Sequence, residues 1–176
     1  MREKYLKGDK IFLSPATVND VKIITRIKND PFIRPFMSAG LPQTEEQTEK
    51  QIEDMRKSGS PYFMILDNET EEILGYVILE NLSSVIRASE LHLAIKEEFT
   101  SKGIGKEVIK LITHYAFDEL NIHSVRALIR ANNPRSLKCF LSQGYYQVGC
   151  LPEWSFYDGQ YNDCYIVDCI PRFLND

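Results

Sequence analysis

Apolar residues fall in short runs and spaced stripes separated by turn formers, and this rhythm assigns most of the chain. Lys10–Ser14 reads as a first strand. Val21, Ile24 and Ile27 recur at helical spacing, and Thr17 or Asn19 is placed to cap a helix running to about Lys28. Asp30-Pro31 ends that helix, because a residue before proline is pushed out of helical geometry. Residues 31–43 hold three prolines and a glycine, which predicts an irregular loop. That loop also carries Phe32, Phe36 and Met37, apolar enough either to line a pocket or to pack onto a core.

Thr44-x-x-Gln47 is a capping-box pattern opening a polar helix that stops near Ser58-Gly59. Tyr62–Leu66 and Ile73–Asn81 read as antiparallel strands joined by the acidic turn Asp67–Glu72, and Arg87–Lys96 as the next strand. Gly103–Leu120 is a long amphipathic helix with Ile104, Val108, Leu111, Ile112 and Tyr115 as its buried stripe. Ser124–Arg130 is a strand. Pro134–Gln143 is a short helix with proline in its first turn and Gly144 as its stop. Tyr145–Phe156 and Gln160–Ile170 form a hairpin about Asp158-Gly159.

The pattern predicts one mixed α/β domain spanning 1–176. Strand 87–96, the following helix and strand 124–130 make a β-α-β unit, so those two strands should be parallel neighbours in a mostly antiparallel sheet.

Composition narrows the function classes. With 43% hydrophobic and 26% charged residues, the chain is ordinary globular material. A net charge of −4 disfavours nucleic acid as a partner. No apolar run is long enough to cross a bilayer and the N-terminus lacks a signal-peptide core, so a cytoplasmic location without membrane attachment is expected. Cys139, Cys150, Cys164 and Cys169 form no C-x-x-C pair and share no ligand spacing with His92, His114 or His123. No metal site is expected, and the cysteines read as free thiols.

The chemistry concentrates in Leu91–Lys106. Leu91, Leu93 and Ile95 alternate along a strand, placing Glu90, His92 and Ala94 on the opposite face. The strand then runs through an acidic turn into Lys102-Gly103-Ile104-Gly105-Lys106 at a helix start. Unpartnered N–H groups and a partial positive charge make such a start attractive to phosphate, and Gly103 and Gly105 remove side chains that would hold a pyrophosphate away. The G-K-[ST] of a P-loop is missing after Gly103, which argues against a nucleotide-binding protein.

A second segment, Ile129-Arg130-Ala131-Asn132-Asn133-Pro134-Arg135-Ser136-Leu137-Lys138-Cys139-Phe140, is followed by Gln143-Gly144-Tyr145. With the Gly103/Gly105 loop it resembles the GNAT acyl-CoA N-acetyltransferases, whose signature is a Q/R-x-x-G-x-G/A loop, then N-x-x-[AS]-x-x-x-[YF], then a glycine–aromatic step. Gly159-Gln160-Tyr161-x-Asp163 resembles the branch holding the ribosomal-protein N-terminal alanine and spermidine acetyltransferases. The resemblance runs from about residue 10 to 170 and is strongest over 87–170. It implies a GNAT fold with a sheet of about seven strands, one parallel pair and about four helices.

It also implies acetyl-CoA as cosubstrate and no metal. The acceptor would be a small-molecule amine or a peptide N-terminus, and a homodimer is an open option. The backbone of Leu93, Ala94 and Ile95 would pair with the pantetheine arm as an added strand. Ser101, Lys102, Gly103, Ile104, Gly105 and Lys106 would hold the pyrophosphate. Asn133, Ser136 and Phe140 would border the lower part of the cofactor. The family's Gln or Arg is Thr100 here, a small departure if backbone N–H groups do most of the cradling.

Acetyl transfer to an amine needs a base, and the resemblance points to Glu90, either as base or as a direct substrate contact. His92 is the alternative base. Many relatives carry a tyrosine at the Phe140 position to protonate the leaving thiolate, and phenylalanine cannot do so. Ser136 is the acid candidate, with Tyr145 and Cys139 as weaker options, and coenzyme A thiolate also leaves unaided. Phe36, Glu90, His92 and Tyr161 are the tentative substrate contacts. Trp154 and Tyr157 either wall the acceptor pocket or pack on an edge strand. Phe140 keeps a competing reading open, a non-catalytic acyl-CoA-binding or sensing module.

Overall fold

A computed structural model describes residues 2–37 and 41–173 of the chain, so residues 38–40 of the expected loop 31–43 lie outside the described residues. Strands β1 (Leu6–Lys7), β2 (Ile11–Pro15), β3 (Tyr62–Asp67), β4 (Ile73–Ser83), β5 (Ala88–Ile95), β6 (Ser124–Arg130), β7 (Tyr146–Tyr157) and β8 (Gln160–Cys169) build one sheet. Their order is β1-β2-β3-β4-β5-β6-β8-β7. Every neighbouring pair is antiparallel except β5 and β6. The sheet thus has eight strands where about seven were expected. The addition is β1, two residues long and too short to leave a periodic signal.

Helices α1 (Val21–Asn29), α2 (Glu45–Ser58), α3 (Ile104–His114) and α4 (Pro134–Leu141) cover the two faces. Alternation along the central strands feeds two cores. Ile11, Leu13, Phe63 and Ile65 meet Val108, Ile109 and Ile112 of α3 on one face. Phe12, Met64 and Tyr76 meet Ile24, Ile27 and Ile52 of α1 and α2 on the other. Ile109, absent from the expected stripe, is fully buried, whereas Leu111 is only partly so.

The local signals form as their chemistry requires. Thr44 accepts from the Gln47 N–H at 3.2 Å and the Gln47 side chain accepts from the Thr44 N–H at 2.9 Å, closing the capping box. Gly59 ends α2 with φ +74°. Thr17 opens a 3-10 turn over Val18–Asp20 before α1, so the α-helix itself starts later than its cap suggests.

One expectation is corrected in the long helix. Its α-helical part ends at His114, and Tyr115–Glu119 is a π-helical turn. Tyr115 and Ala116 are both buried in this turn. Tyr115 there packs edge-on against Tyr5 and Phe63.

Candidate active site

The β5–β6 pair is the feature that makes a site. Pairing covers only Ala88–Glu90 against Ser124–Arg126. Beyond it β6 stays on β8 through Arg130, and β5 stays on β4 through Ile95. A wedge therefore opens between two strands of one sheet. The hydrogen-bond alternation shows which groups face it. The Leu79 N–H donates to the carbonyl of Pro61, the residue just before β3, so Tyr76, Ile78 and Glu80 turn their backbone to β5, opposite Ala94, His92 and Glu90. The Arg87 carbonyl, by contrast, accepts from His123 and Ser124 on the β6 side. By the same parity Leu91, Leu93 and Ile95 aim their N–H and C=O groups into the wedge. A strand-like ligand could take those bonds. Ala94, expected to share in that pairing, has its backbone turned to β4.

The wedge continues into a cavity of about 800 Å³ bounded by the β5 and β6 ends, the 99–106 turn, the α4 start and the loop after α1. Ser101, Gly103, Gly105 and Lys106 line it, as do Asn133, Ser136 and Phe140. Ser101 and Gly103 both have positive φ, at 61° and 86°, which curls the chain so that α3 begins at the cavity edge. The two glycines differ in what they allow. A Cβ on Gly103 would find only Lys10 Nζ at 3.8 Å, so Gly103 is required by its backbone conformation. A Cβ on Gly105 would sit 3.3 Å from Cys139 Sγ and 3.5 Å from Ile95 Cδ1, so Gly105 lets α3 pack against α4 and β5.

Two of the expected cradle residues, Lys102 and Ile104, are not among the residues that line the cavity. The Lys102 ammonium lies 5.2 Å from the Phe99 ring centroid and Ile104 is buried in the core. Thr100 donates through Oγ1 to the Glu97 carbonyl at 2.8 Å and also lines the cavity.

At α4, Asn133 is the cap and its side chain accepts from the Ser136 N–H at 3.1 Å. Phe140 is buried and packs edge-to-face with Tyr145 at 5.0 Å between centroids. Tyr145 is itself removed from the chemistry. It is 2% exposed, its hydroxyl lies 2.7 Å from Thr113 Oγ1, and burial pushes its phenol up. Burial likewise pushes up the Cys139 thiol.

Glu90 and His92 line the opposite end. Burial raises the Glu90 carboxyl above the ordinary range; His92 offsets this, while the Glu80 charge adds to it. His92 Nε2 stands 3.5 Å from Glu90 Oε1 and 3.0 Å from Glu80 Oε2. The three side chains grade from inside to outside, at 16% exposure for Glu90, 33% for His92 and 42% for Glu80.

The loop after α1 roofs this end with Phe32, Ile33, Phe36 and Met37. Its two sequence readings both apply, since Phe32 and Met37 also pack against the second core. Arg130 holds it down. Its guanidinium donates to the Pro35 carbonyl at 2.6 Å and to the Met37 carbonyl. The Arg135 guanidinium lies 5.1 Å from the Phe32 ring centroid.

Sequence reasoning missed Arg130, Glu80 and Tyr76 as site residues. An arginine or glutamate near a strand end reads as a solvated residue, and only the three-dimensional neighbours distinguish it. Tyr161, a tentative substrate contact, is 65% exposed on the β7–β8 hairpin, packs against Phe156, and lies outside the cavity lining. Trp154 is 57% exposed. Among the described residues no His, Cys, Asp and Glu cluster could hold a metal ion.

Residues 10–145 match the acetyltransferase (GNAT) domain family, and the chain belongs to it. Like other members it is an acetyltransferase. It is similar to the spermidine N(1)-acetyltransferase of Vibrio cholerae, 24% identical over 150 residues that cover 82% of this chain and 83% of that protein. It is also similar to the probable N-acetyltransferase YjcK of Bacillus subtilis, 25% identical over 153 residues, 82% of this chain and 84% of that one. Among solved structures, the spermidine N-acetyltransferase from Vibrio cholerae in complex with CoA and spermine superposes with a TM-score of 0.88. It is 20% identical and the match covers 96% of this chain and 100% of that one.

Proposed function

We propose that this protein transfers the acetyl group of acetyl-CoA to a primary amine by direct attack within a ternary complex. The observation that carries this reading is the opened β5–β6 wedge, with strand-edge backbone groups along one wall and a curled, glycine-bearing helix start at one end. An acyl-pantetheine arm is a narrow chain of amides that suits such a wall, and a pyrophosphate suits such a helix start. The main chains of Leu93 and Ile95 would hold the arm. Ser101, Gly103, Gly105 and Lys106 would hold the phosphates, with Asn133 and Ser136 bordering the cofactor.

In this reading Glu90 is the base. Burial raises its pKa, making it a stronger proton acceptor than an ordinary carboxylate, and it takes a proton from the ammonium to free the lone pair that attacks the thioester carbonyl. Main-chain N–H groups of β5 that face the wedge are available to stabilise the developing oxyanion. After attack the nitrogen carries a second proton to lose; it passes to the departing thiolate, relayed through the Ser136 hydroxyl, or to solvent while the thiolate leaves as the anion, since Phe140 offers no proton. Four unpaired thiols suit a reducing compartment, and we place the reaction in the cytoplasm.

The test is thiol release from acetyl-CoA with an amine panel, wild type beside Glu90→Gln. Turnover lost in the variant with cofactor affinity retained supports the reading. Equal turnover in both removes Glu90 as base. Cofactor binding without turnover on any amine favours the sensing module.

A further inference from the structure

Resting on that reading, we infer that the acceptor is a monoamine whose ammonium is followed by an apolar substituent, and not a polycation. The charges around the cavity carry the argument. Among the described residues that line it Glu90 is the single carboxylate, whereas Lys106, Arg130, Arg135 and Lys138 all line it. One carboxylate matches one ammonium. Lys106 and Lys138 belong to the α3–α4 end, where phosphates would sit. Arg130 and Arg135 stand beside the acceptor loop, engaged with Pro35, Met37 and Phe32. A second ammonium extending from Glu90 beneath the loop would meet fixed positive charge with no compensating anion.

What the acceptor end offers instead is apolar surface. Phe32, Ile33, Phe36, Met37, Tyr76 and Leu128 line it. Across residues 31–43 the only charged side chain is Arg34, itself a cation. The spermidine N-acetyltransferase from Vibrio cholerae is structurally similar to this chain, yet the lining described here lacks the repeated carboxylates that a polyamine's spaced charges would require. Glu80 is a further carboxylate beside this end. It lies outside the lining, and its Oε2 is held by His92.

The shared chemistry, a primary amine next to an apolar group, is presented both by a free alkyl- or arylalkylamine and by a peptide beginning with an apolar residue. Matched pairs test it directly. Thiol-release kcat/KM would be measured for propylamine, butylamine and hexylamine against the diamines of equal length, with spermidine, phenethylamine and a Phe-starting and an Asp-starting peptide alongside. The expected result is a rise of roughly fourfold per added methylene in the monoamines, and at least about tenfold preference over each matched diamine. Preference for phenethylamine over the Phe-starting peptide, or the reverse, separates the two sources. In Phe36→Asp the ratio should move toward the diamines. Spermidine or the diamines preferred over the monoamines overturns the inference and leaves the N-acetyltransferase reading intact. No thiol release with any acceptor defeats that reading, and this inference with it.

Discussion

Arg130, at the end of β6, donates through Nη1 to the carbonyl of Pro35 at 2.6 Å, joining the wedge to the loop that roofs it. The second donor, to the Met37 carbonyl, makes the contact two-pronged. A planar guanidinium can satisfy two carbonyls at once in a fixed geometry, which a lysine cannot. The loop is also tied at its two ends, where Asn29 exchanges two 2.8 Å hydrogen bonds with the Gln43 backbone and Asp30 accepts from the Phe32 N–H, and it rests on apolar contacts and the Arg135–Phe32 stack.

Arg130→Lys and Arg130→Gln should therefore loosen the acceptor end and spare the cofactor end. The acceptor KM is expected to rise about tenfold or kcat to fall by a similar factor, with the KM for acetyl-CoA changed less than about twofold. Steady-state kinetics with each substrate varied in turn reads this split. A loss of about 1–2 kcal/mol in denaturant stability should accompany it.

Glu90→Gln separates activity from stability. The folded-state pKa of Glu90 is raised above 4.5, so the folded protein holds this proton to a higher pH than the unfolded chain. The stabilisation it contributes is present below 4.5 and is lost as pH rises through the folded value. At neutral pH the ionised carboxylate is thus a burden on the fold. The variant should lose about 10²–10⁴ in kcat while keeping or gaining thermal stability. The acid limb of kcat/KM should disappear with it.

Glu80→Gln and His92→Asn should move that acid limb in opposite directions. Glu80 raises the Glu90 carboxyl through its charge, so removing it shifts the limb to lower pH. His92 lowers it, so removing the imidazole shifts the limb to higher pH. A pH profile of kcat/KM for both variants, with unchanged acetyl-CoA affinity by calorimetry, checks the sign. Shifts in the same direction would remove the three-residue cluster from the proton path.

Gly103→Ala and Gly75→Ala should fail for different reasons. At Gly103 the space is open and φ is +86°, so alanine strains the backbone by about 1–2 kcal/mol and raises the KM for acetyl-CoA. At Gly75 a Cβ would fall 2.1 Å from the Ala94 carbonyl oxygen, inside the β4–β5 ladder. That variant should lose about 3 kcal/mol of stability or fail to fold, with any residual protein impaired at both substrates. Urea titrations beside kinetics tell the two apart.

Lys28 gives a prediction away from the site. Its side chain is buried between α1 and α2, and burial lowers its pKa from 10.5 to about 8. Between those two values the unfolded chain binds more protons than the folded one, so this group's contribution to stability rises with pH from about 8 to 10.5. Urea midpoints at several pH values in that window should rise in wild type relative to Lys28→Met, which lacks the titrating group.

Much of this was legible along the chain. Thr44 and Gln47 announced the α2 cap, Asp158-Gly159 adopts the double positive φ of a tight hairpin turn, and the β-α-β spacing placed β5 beside β6 in parallel. These are local facts: capping, turn geometry and connection length depend on residues a few positions apart. The Gly103/Gly105 and Asn133–Ser136 segments likewise converge on one cavity, because both open helices that follow strands of the same unit.

Other features depended on distant residues meeting. That β5 and β6 part after Glu90 and Arg126 follows from how each strand is held on its far side, by β4 and by β8. That Arg130 grips Pro35 and Met37, that Glu80 reaches the imidazole beside Glu90, and that Tyr161 lies outside the cavity lining are all outcomes of packing. Chain order alone carried most of the elements and the family, because capping, turn geometry and motif spacing are short-range; the two-residue β1 and the π-helical end of the long helix left no such signal. Tertiary structure alone decided the acceptor end, because charge balance and shape in a cavity are sums over side chains that the chain order keeps far apart.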